Sequence, residues 1–397
     1  MKRLWACAAI TLALTTGCSA VIDGHPEPGM SPVDVAVLRT GGFTKEPAPY
    51  QPRFTDASDV RLIESRRMLD FLVHPFDVDS EITSPGTVRL FNDPASLVDE
   101  AFPEQYKPVA EKFDLLAGVY VSRTNGNLRS RKRLIISVMR FATEADSKNA
   151  RDEFVRIADT DGTAHAIPID GYPEARATSV ADINATVYQA HGPYVIAVNA
   201  GLPHPDPAAH AAVFKKALDL QIPLLDKQKP VPLDDLLDLP VNPDGILRRA
   251  APPAKDYSDP FFDKDDFGHY QPAGMLHFER NPLQVRKAFE EGGVDLIGRQ
   301  AGTVYRTRDL AAAFRLQLAL TIAERTDEPI DPPANLRDAR CLRLDTRDFN
   351  RHHDVLCAVV FGRYVAVVVG IARSSVGSDP RMFERVAAQY SILAKSE

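Results

Sequence analysis

Apolar and polar residues alternate through Leu134, Ile136 and Val138, the two-residue period of a strand with one buried face. That run, Arg133 to Phe141, is separated from an earlier apolar run, Gly118 to Arg123, by Asn125-Gly126, a pair favoured in short hairpins. The period then lengthens, and Glu144 to Ala158 reads as a helix. A second hairpin is expected from about Ala175 through Asn184 to Val198, followed by a long helix from Ala208 to about Asp226. Further on, Arg308 to Arg325 reads as helix, Cys341 to Asp345 and Val355 to Ile371 as strands, and Pro380 to Ala394 as a last helix. Val359, Val360, Phe361 and Val365 to Val369 make an almost unbroken apolar run, which suits a central strand covered on both faces.

The pattern repeats. Phe91, Val98, Ala101 and Phe102 recur with the same spacing as Phe278, Val285, Ala288 and Phe289. Asp93-Pro94 and Asn281-Pro282 both carry a capping side chain followed by proline at the first helical position. Gly192-Pro193-Tyr194-Val195 matches Gly362-Arg363-Tyr364-Val365, and the stretch from Asp206-Pro207 to Leu224 matches that from Asp379-Pro380 to Leu393. The offset drifts from 187 to 169, as insertions within a duplicated unit would make it. Each copy reads helix, strands, helix, strands, helix. The expected fold is therefore α+β, with two related lobes, each an antiparallel sheet with helices packed on it.

Proline density sets the expected boundaries. Residues 18–55 form a Pro-rich tether whose distal half is expected to pack on the first lobe, residues 56–228. Residues 229–260 read as a linker interrupted by one apolar segment, Leu233 to Leu239, and residues 261–397 form the second lobe.

At the amino terminus, Lys2 and Arg3 precede an apolar run from Leu4 to Leu14, and Thr15-Thr16-Gly17-Cys18 follows. The run is too short to span a bilayer comfortably, so residues 1–17 are expected to be a secretory signal. A cysteine directly after small residues is similar to a bacterial lipoprotein signal, which makes Cys18 the expected lipid attachment. Thr15 stands where such signals usually carry Leu, with Leu14 one place further back. The chain is then held at the outer face of a bacterial cell membrane by acyl chains alone.

The formal charge is -7, and more negative once Lys2 and Arg3 leave with the signal. An acidic surface repels phosphate backbones, which argues against nucleic acid as a partner. Cys7 leaves with the signal and Cys18 is acylated, so Cys341 and Cys357 are left as a pair. In an exported protein they are expected to form a disulfide whose loop closure contributes about 3 kcal/mol. Val187 occupies the position of Cys357 in the first copy, so the bridge belongs to the second lobe alone. The only tryptophan, Trp5, lies in the signal.

Candidate chemistry is sparse. Arg129, Arg131, Lys132 and Arg133 form a basic run that could hold anions such as lipid headgroups, or simply a solvated hairpin arm. Arg351-His352-His353-Asp354 reads as a polar loop, because adjacent histidines in a strand face opposite ways. Asp263-Lys264-Asp265-Asp266 lacks the spaced oxygens and the glutamate of a calcium loop, and reads as acidic linker. Tyr194 and Tyr364 could line paired ligand sites, or pack at a sheet edge after a glycine turn. No Gly-x-Ser-x-Gly, His-Glu-x-x-His or Gly-x-x-x-x-Gly-Lys occurs, and no catalytic residue, metal ligand or cofactor is expected.

The signal, the Pro-rich start, Leu62-Ile63-Glu64-Ser65-Arg66-Arg67-Met68 and Phe361-Gly362-Arg363-Tyr364-Val365 together resemble an actinomycete family of cell-envelope lipoproteins of unknown function. The resemblance implies an envelope location and two lobes, and it brings no reaction. The expected function is that of a non-catalytic, lipid-anchored envelope protein that binds a lipid or another envelope protein where the lobes meet. The alternatives are a cell-wall or lipid hydrolase with an unrecognised acid–base pair, and a purely structural surface lipoprotein.

Overall fold

The computed structural model describes residues 29–50, 54, 56–159, 161–254, 259–262, 264–372 and 380–396. The expected signal and Cys18 lie outside these residues. No helix among those described is long and apolar enough to cross a membrane.

The first lobe opens with α1 (Ala57–Leu69), capped by the Asp56 carboxylate, and the single turn α2 (Pro75–Val78). Then come β1 (Ser84–Phe91), α3 (Pro94–Glu100), α4 (Lys107–Lys112), β2 (Leu115–Thr124), β3 (Arg133–Phe141) and α5 (Glu144–Ala158). The strands β4 (His165–Ala166), β5 (Arg176–Ser179), β6 (Asn184–His191) and β7 (Tyr194–Gly201) lead into α6 (Pro207–Lys227). The second lobe runs β8 (Gly268–Tyr270), α7 (Pro272–Met275), α8 (Pro282–Gly292), β9 (Leu296–Arg299), β10 (Thr303–Arg306), α9 (Leu310–Leu320) and β11 (Glu328–Ile330). It closes with β12 (Arg340–Arg343), β13 (Val355–Phe361), β14 (Tyr364–Gly370) and α10 (Pro380–Ala394).

Each lobe holds one antiparallel sheet of seven strands. The first is ordered β1-β2-β3-β7-β6-β5-β4, and the second, read from the corresponding edge, β8-β9-β10-β14-β13-β12-β11. Strand for strand the two orders are the same, as a duplicated unit requires. In both, the last hairpin supplies the sheet centre. Its apolar run in the second lobe is covered on both sides: Ala358, Val360 and Val365 face one cluster, while Cys357, Val359 and Val368 face another that includes Val386 and Tyr390 of α10.

One apolar cluster crosses between the lobes. It contains Ile136, Val198, Phe214 and Leu218 of the first lobe together with Tyr270, Met275, Phe289 and Leu316 of the second. Leu62, Met68 and Leu69 of α1 are buried in the same cluster. Burial of each such side chain contributes about 1.5–3 kcal/mol, so the seam is part of the core and not a hinge.

Several boundaries differ from the expectation. The Asn125-Gly126 hairpin is closed by a longer loop, residues 125–132, in which Gly126 takes the left-handed φ of +68°. The second hairpin of the first lobe is a three-stranded meander, because Asp182 turns the chain between β5 and β6 before Gly192 turns it again. Helix α9 stops at Leu320, where the Thr321 hydroxyl bonds back to the Gln317 carbonyl and the apolar spacing ends. Residues 29–50 pack on the second lobe instead of the first. Val33, Val35 and Leu38 join the cluster of α10 and β14, and Ser31 donates to the Asp338 carboxylate. Within residues 229–260, Leu236, Ile246 and Leu247 are buried in two 3-10 segments laid along the lobes.

Candidate functional site

The lobes are locked together by polar groups that the apolar seam leaves no water to satisfy. Arg123 of β2 is fully buried and donates to the carbonyls of Thr83, Leu276, His277 and Glu279, three of which belong to the second lobe. Arginine suits this place because it can only donate, through a planar fork that reaches several carbonyls at once. On the same seam Arg286 grips both oxygens of Asp77 at 2.7 and 2.8 Å, and His74 stacks on His277 with ring centroids 4.2 Å apart. Burial holds the His277 imidazole well below its ordinary pKa.

Next to this seam lies a cavity of about 290 Å³. Its walls come from three places: Ile63, Arg66, Arg67, Asp70 and Phe71 from α1 and the residues after it, Leu239, Pro240 and Val241 from the interlobe segment, and His269 and Gln271 from the second lobe. Five of the ten are apolar, and the charged groups are Arg66 and Arg67 of α1 and Asp70 at its C-cap, with positions 66 and 70 one turn apart. Arg66 and Asp70 are half-buried and both line the cavity.

Among the described residues Asp70 forms no ion pair. One of its oxygens accepts the Gly274 amide at 3.0 Å, and burial pushes its carboxyl up to about 7. Arg66 donates to the Asp265 carbonyl at 3.5 Å, and burial lowers its pKa against the opposing pull of the nearby Asp265 and Asp266. Its guanidinium passes over Gly268, where φ is +148° and a β-carbon would come within 2.6 Å of the Arg66 Nε. Only glycine fits there. Arg67, by contrast, is committed: it bonds Glu64 at 2.9 Å and the Lys229 carbonyl at 3.0 Å. Glu64, buried, also binds Arg140 at 2.7 Å, and Arg140 in turn holds the Val231 carbonyl. This network fixes α1 and the interlobe segment as a rigid frame around the cavity.

A second, smaller cavity of about 80 Å³ lies within the second lobe. Two carboxyl groups line it, Glu279 and Asp348, with Tyr305, Asn350 and His353. Burial raises the Glu279 carboxyl to about 7, and its Oε1 accepts the Tyr305 hydroxyl at 2.7 Å. Burial lowers His353 to about 4, so it is neutral above that pH. Asn350 leaves this wall to grip β1 of the first lobe, accepting the Val88 amide at 2.7 Å.

The residues singled out from sequence fall in separate parts of the fold. Cys341 and Cys357 are bonded across β12 and β13, directly opposite in register with Cα atoms 4.1 Å apart, and Ala177 and Val187 take the equivalent places in the first lobe. Of the basic run, Lys132 is paired with Asp79 and Glu81 and Arg133 with Asn199, while Arg129 and Arg131 are exposed at the loop tip. His352 is exposed with a left-handed φ of +53°, whereas Arg351 is buried and donates to the Gln300 carbonyl, so this loop is partly core. Asp266 is not solvated linker: it pairs with Arg299 at 2.5 Å deep in the second lobe. Tyr194 and Tyr364 are buried where their strands begin and line neither cavity. Among the described residues no three His, Cys, Asp or Glu gather as a metal site.

Sequence reasoning missed Arg66, Asp70 and Glu279. Helix α1 carries charges around its whole circumference, so nothing in its spacing separates the inward ones from those in water. A faint signal existed at Gly268, an isolated glycine ahead of an aromatic residue, which marks close approach of another group.

Two family models match the chain in succession. The N-terminal domain of unknown function (DUF7373) covers residues 52–241, and the C-terminal domain of unknown function (DUF7373) covers residues 246–396. No curated protein matches. Among solved structures, the extracellular domain of PknH from Mycobacterium tuberculosis is similar at 13% identity and a TM-score of 0.29, over 41% of this chain and 97% of that one.

Proposed function

The chain belongs to the DUF7373 family, with its N- and C-terminal domains in order, and we propose that it is an exported, non-catalytic envelope protein that holds a small amphiphile between its lobes. Acyl chains on Cys18 hold it at the outer face of the bacterial membrane. The disulfide supports export, since such bonds persist in oxidising compartments.

The observation that carries the ligand reading is the cavity of about 290 Å³ at the lobe junction, near the lower size limit of small-molecule sites. Its apolar wall (Ile63, Phe71, Leu239, Pro240, Val241) accepts a short hydrocarbon portion. Its charged side, Arg66 and Asp70, accepts an oxygen-rich head: Arg66 donates, and Asp70 donates too when protonated. Native mass spectrometry of protein purified from its own envelope tests this. A bound mass is expected in the natural chain and is expected to be lost in Val241→Trp, which fills the cavity, and reduced in Arg66→Met. A natural chain that carries no ligand, and binds no more of an added short-chain fatty acid than Val241→Trp, defeats the reading.

One observation favours a second reading. Glu279 and Asp348 converge in the smaller cavity, and a carboxyl poised near neutral pH beside another carboxyl is the arrangement of an acid–base pair. A hydrolase acting on wall or lipid substrates would lose turnover in Glu279→Gln. Unchanged turnover in that variant removes the reading.

A further inference from the structure

We infer that the tip of the β2–β3 hairpin is a membrane-contact element that seats on anionic lipid headgroups. The tip is Leu128, Arg129 and Arg131. Leu128 is 93% exposed, the most exposed large apolar side chain among the described residues, and nothing folds over it. Single exposed leucines are ordinary, so exposure alone means little. What sets this one apart is the frame beneath it and the charge beside it.

The loop is built to keep its shape. The Asn127 side-chain oxygen Oδ1 accepts the amides of Arg129 and Ser130 at 3.0 and 3.1 Å. Asn125 accepts the Lys132 amide at 3.0 Å and donates to the Ser130 carbonyl at 2.8 Å, closing the loop across its base. A preorganised loop loses little conformational entropy on docking. Lys132 is neutralised below the tip by Asp79 and Glu81. Arg129 and Arg131 are exposed beside Leu128 and have no carboxylate partner among the described residues, in a chain whose formal charge is -7. The overall field therefore repels an anionic surface, and this tip is where a local attraction overcomes it.

A soluble polyanion would use the two guanidiniums and leave Leu128 in water. A bilayer interface uses both, with leucine at the headgroup–acyl boundary and arginines on phosphates. The contact is separate from the acyl anchor and from the junction cavity, although it rests on the envelope location proposed above.

Trp5 is the only tryptophan of the chain, so Leu128→Trp gives the processed protein a single reporter at the tip. In vesicles containing phosphatidylglycerol its emission is expected to shift to the blue and to be quenched by brominated acyl chains. In pure phosphatidylcholine both effects are expected to fall several-fold. Adding Arg129→Ser and Arg131→Ser is expected to lower apparent vesicle affinity about tenfold, as is raising the salt. Phe349→Trp, exposed on the second lobe, is the control and is expected to stay unquenched. Solvent-like emission at position 128 in both vesicle types overturns the inference. So does equal quenching at 128 and 349, or a response to soluble polyphosphate with none to anionic vesicles.

Discussion

Glu279 sits among Tyr305, Arg299 and the seam, and its carboxyl titrates near 7 because burial penalises the charged form more than the nearby cations favour it. In the unfolded chain the same group titrates near 4.5. A carboxyl raised on folding contributes stability below its unfolded pKa, and that contribution is lost as pH climbs through the folded value. The penalty is therefore absent at pH 4, grows between about 4.5 and 7 and is complete above, at roughly 3 kcal/mol. Glu279→Gln keeps an oxygen for the Tyr305 hydroxyl and removes the titration. Its urea midpoint is expected to match the natural chain at pH 4 and to exceed it at pH 8; a variant no more stable at pH 8 contradicts the burial argument. Arg123 makes the opposite case. Arg123→Met strips the donor from four carbonyls and is expected to cost about 3–5 kcal/mol at any pH where the protein folds, read as a lower midpoint in urea.

At the scale of elements, the duplication allows one copy to serve as the control for the other. Asp93 caps α3 in a reciprocal box with Ser96, whereas Asn281 at the start of α8 makes no side-chain cap bond. Asp93→Ala is expected to cost about 1 kcal/mol and Asn281→Ala much less, so equal losses in thermal denaturation would show the caps are equivalent after all. The bridge offers a similar exchange. Cys341→Ala with Cys357→Val installs the pair used at 177 and 187, and the protein is expected to fold but to lose about 3 kcal/mol of loop-closure stabilisation. These local features were legible in the sequence because capping residues, strand periods and a cysteine pair act over a few positions. α5 and α10 were bounded residue for residue by such signals. The cavities were not legible. Arg66, Asp70, Leu239 and His269 meet only through the packing of three distant segments, and a charged helix like α1 shows no period that says which charge faces inward. The placement of residues 29–50 failed for the same reason, since Val33, Val35 and Leu38 fit either lobe by composition and only the open face beside α10 decides.

At the scale of the molecule, the question is whether two copies of one fold behave as two domains. Independent domains are joined by modest, polar interfaces and move by default. Here the apolar cluster passes without a break from α6 across the seam to α9, and α1 of the first lobe lies against β8 and the interlobe segment. The seam also buries Arg123 and the stacked pair His74 and His277, groups that would be left unsatisfied if either lobe unfolded alone. Residues 29–50 add a further constraint by crossing from the amino terminus to the last lobe, where Ser31 meets Asp338 and the Met30 sulfur meets the Gly362 amide. Losing one lobe therefore strips the other of its core wall, and the cost of separate unfolding exceeds that of unfolding together. Calorimetry is expected to give a single transition whose van't Hoff and calorimetric enthalpies agree, and Arg286→Ala, which frees Asp77 at the seam, is expected to lower that one transition without splitting it. Two resolved transitions in the natural chain would mean the lobes are separable, and a cavity framed by both could then open and close as they move. A single transition makes the cavity a fixed recess, filled through local motion of Leu239 to Val241, and ligand would raise the melting temperature of the whole molecule at once.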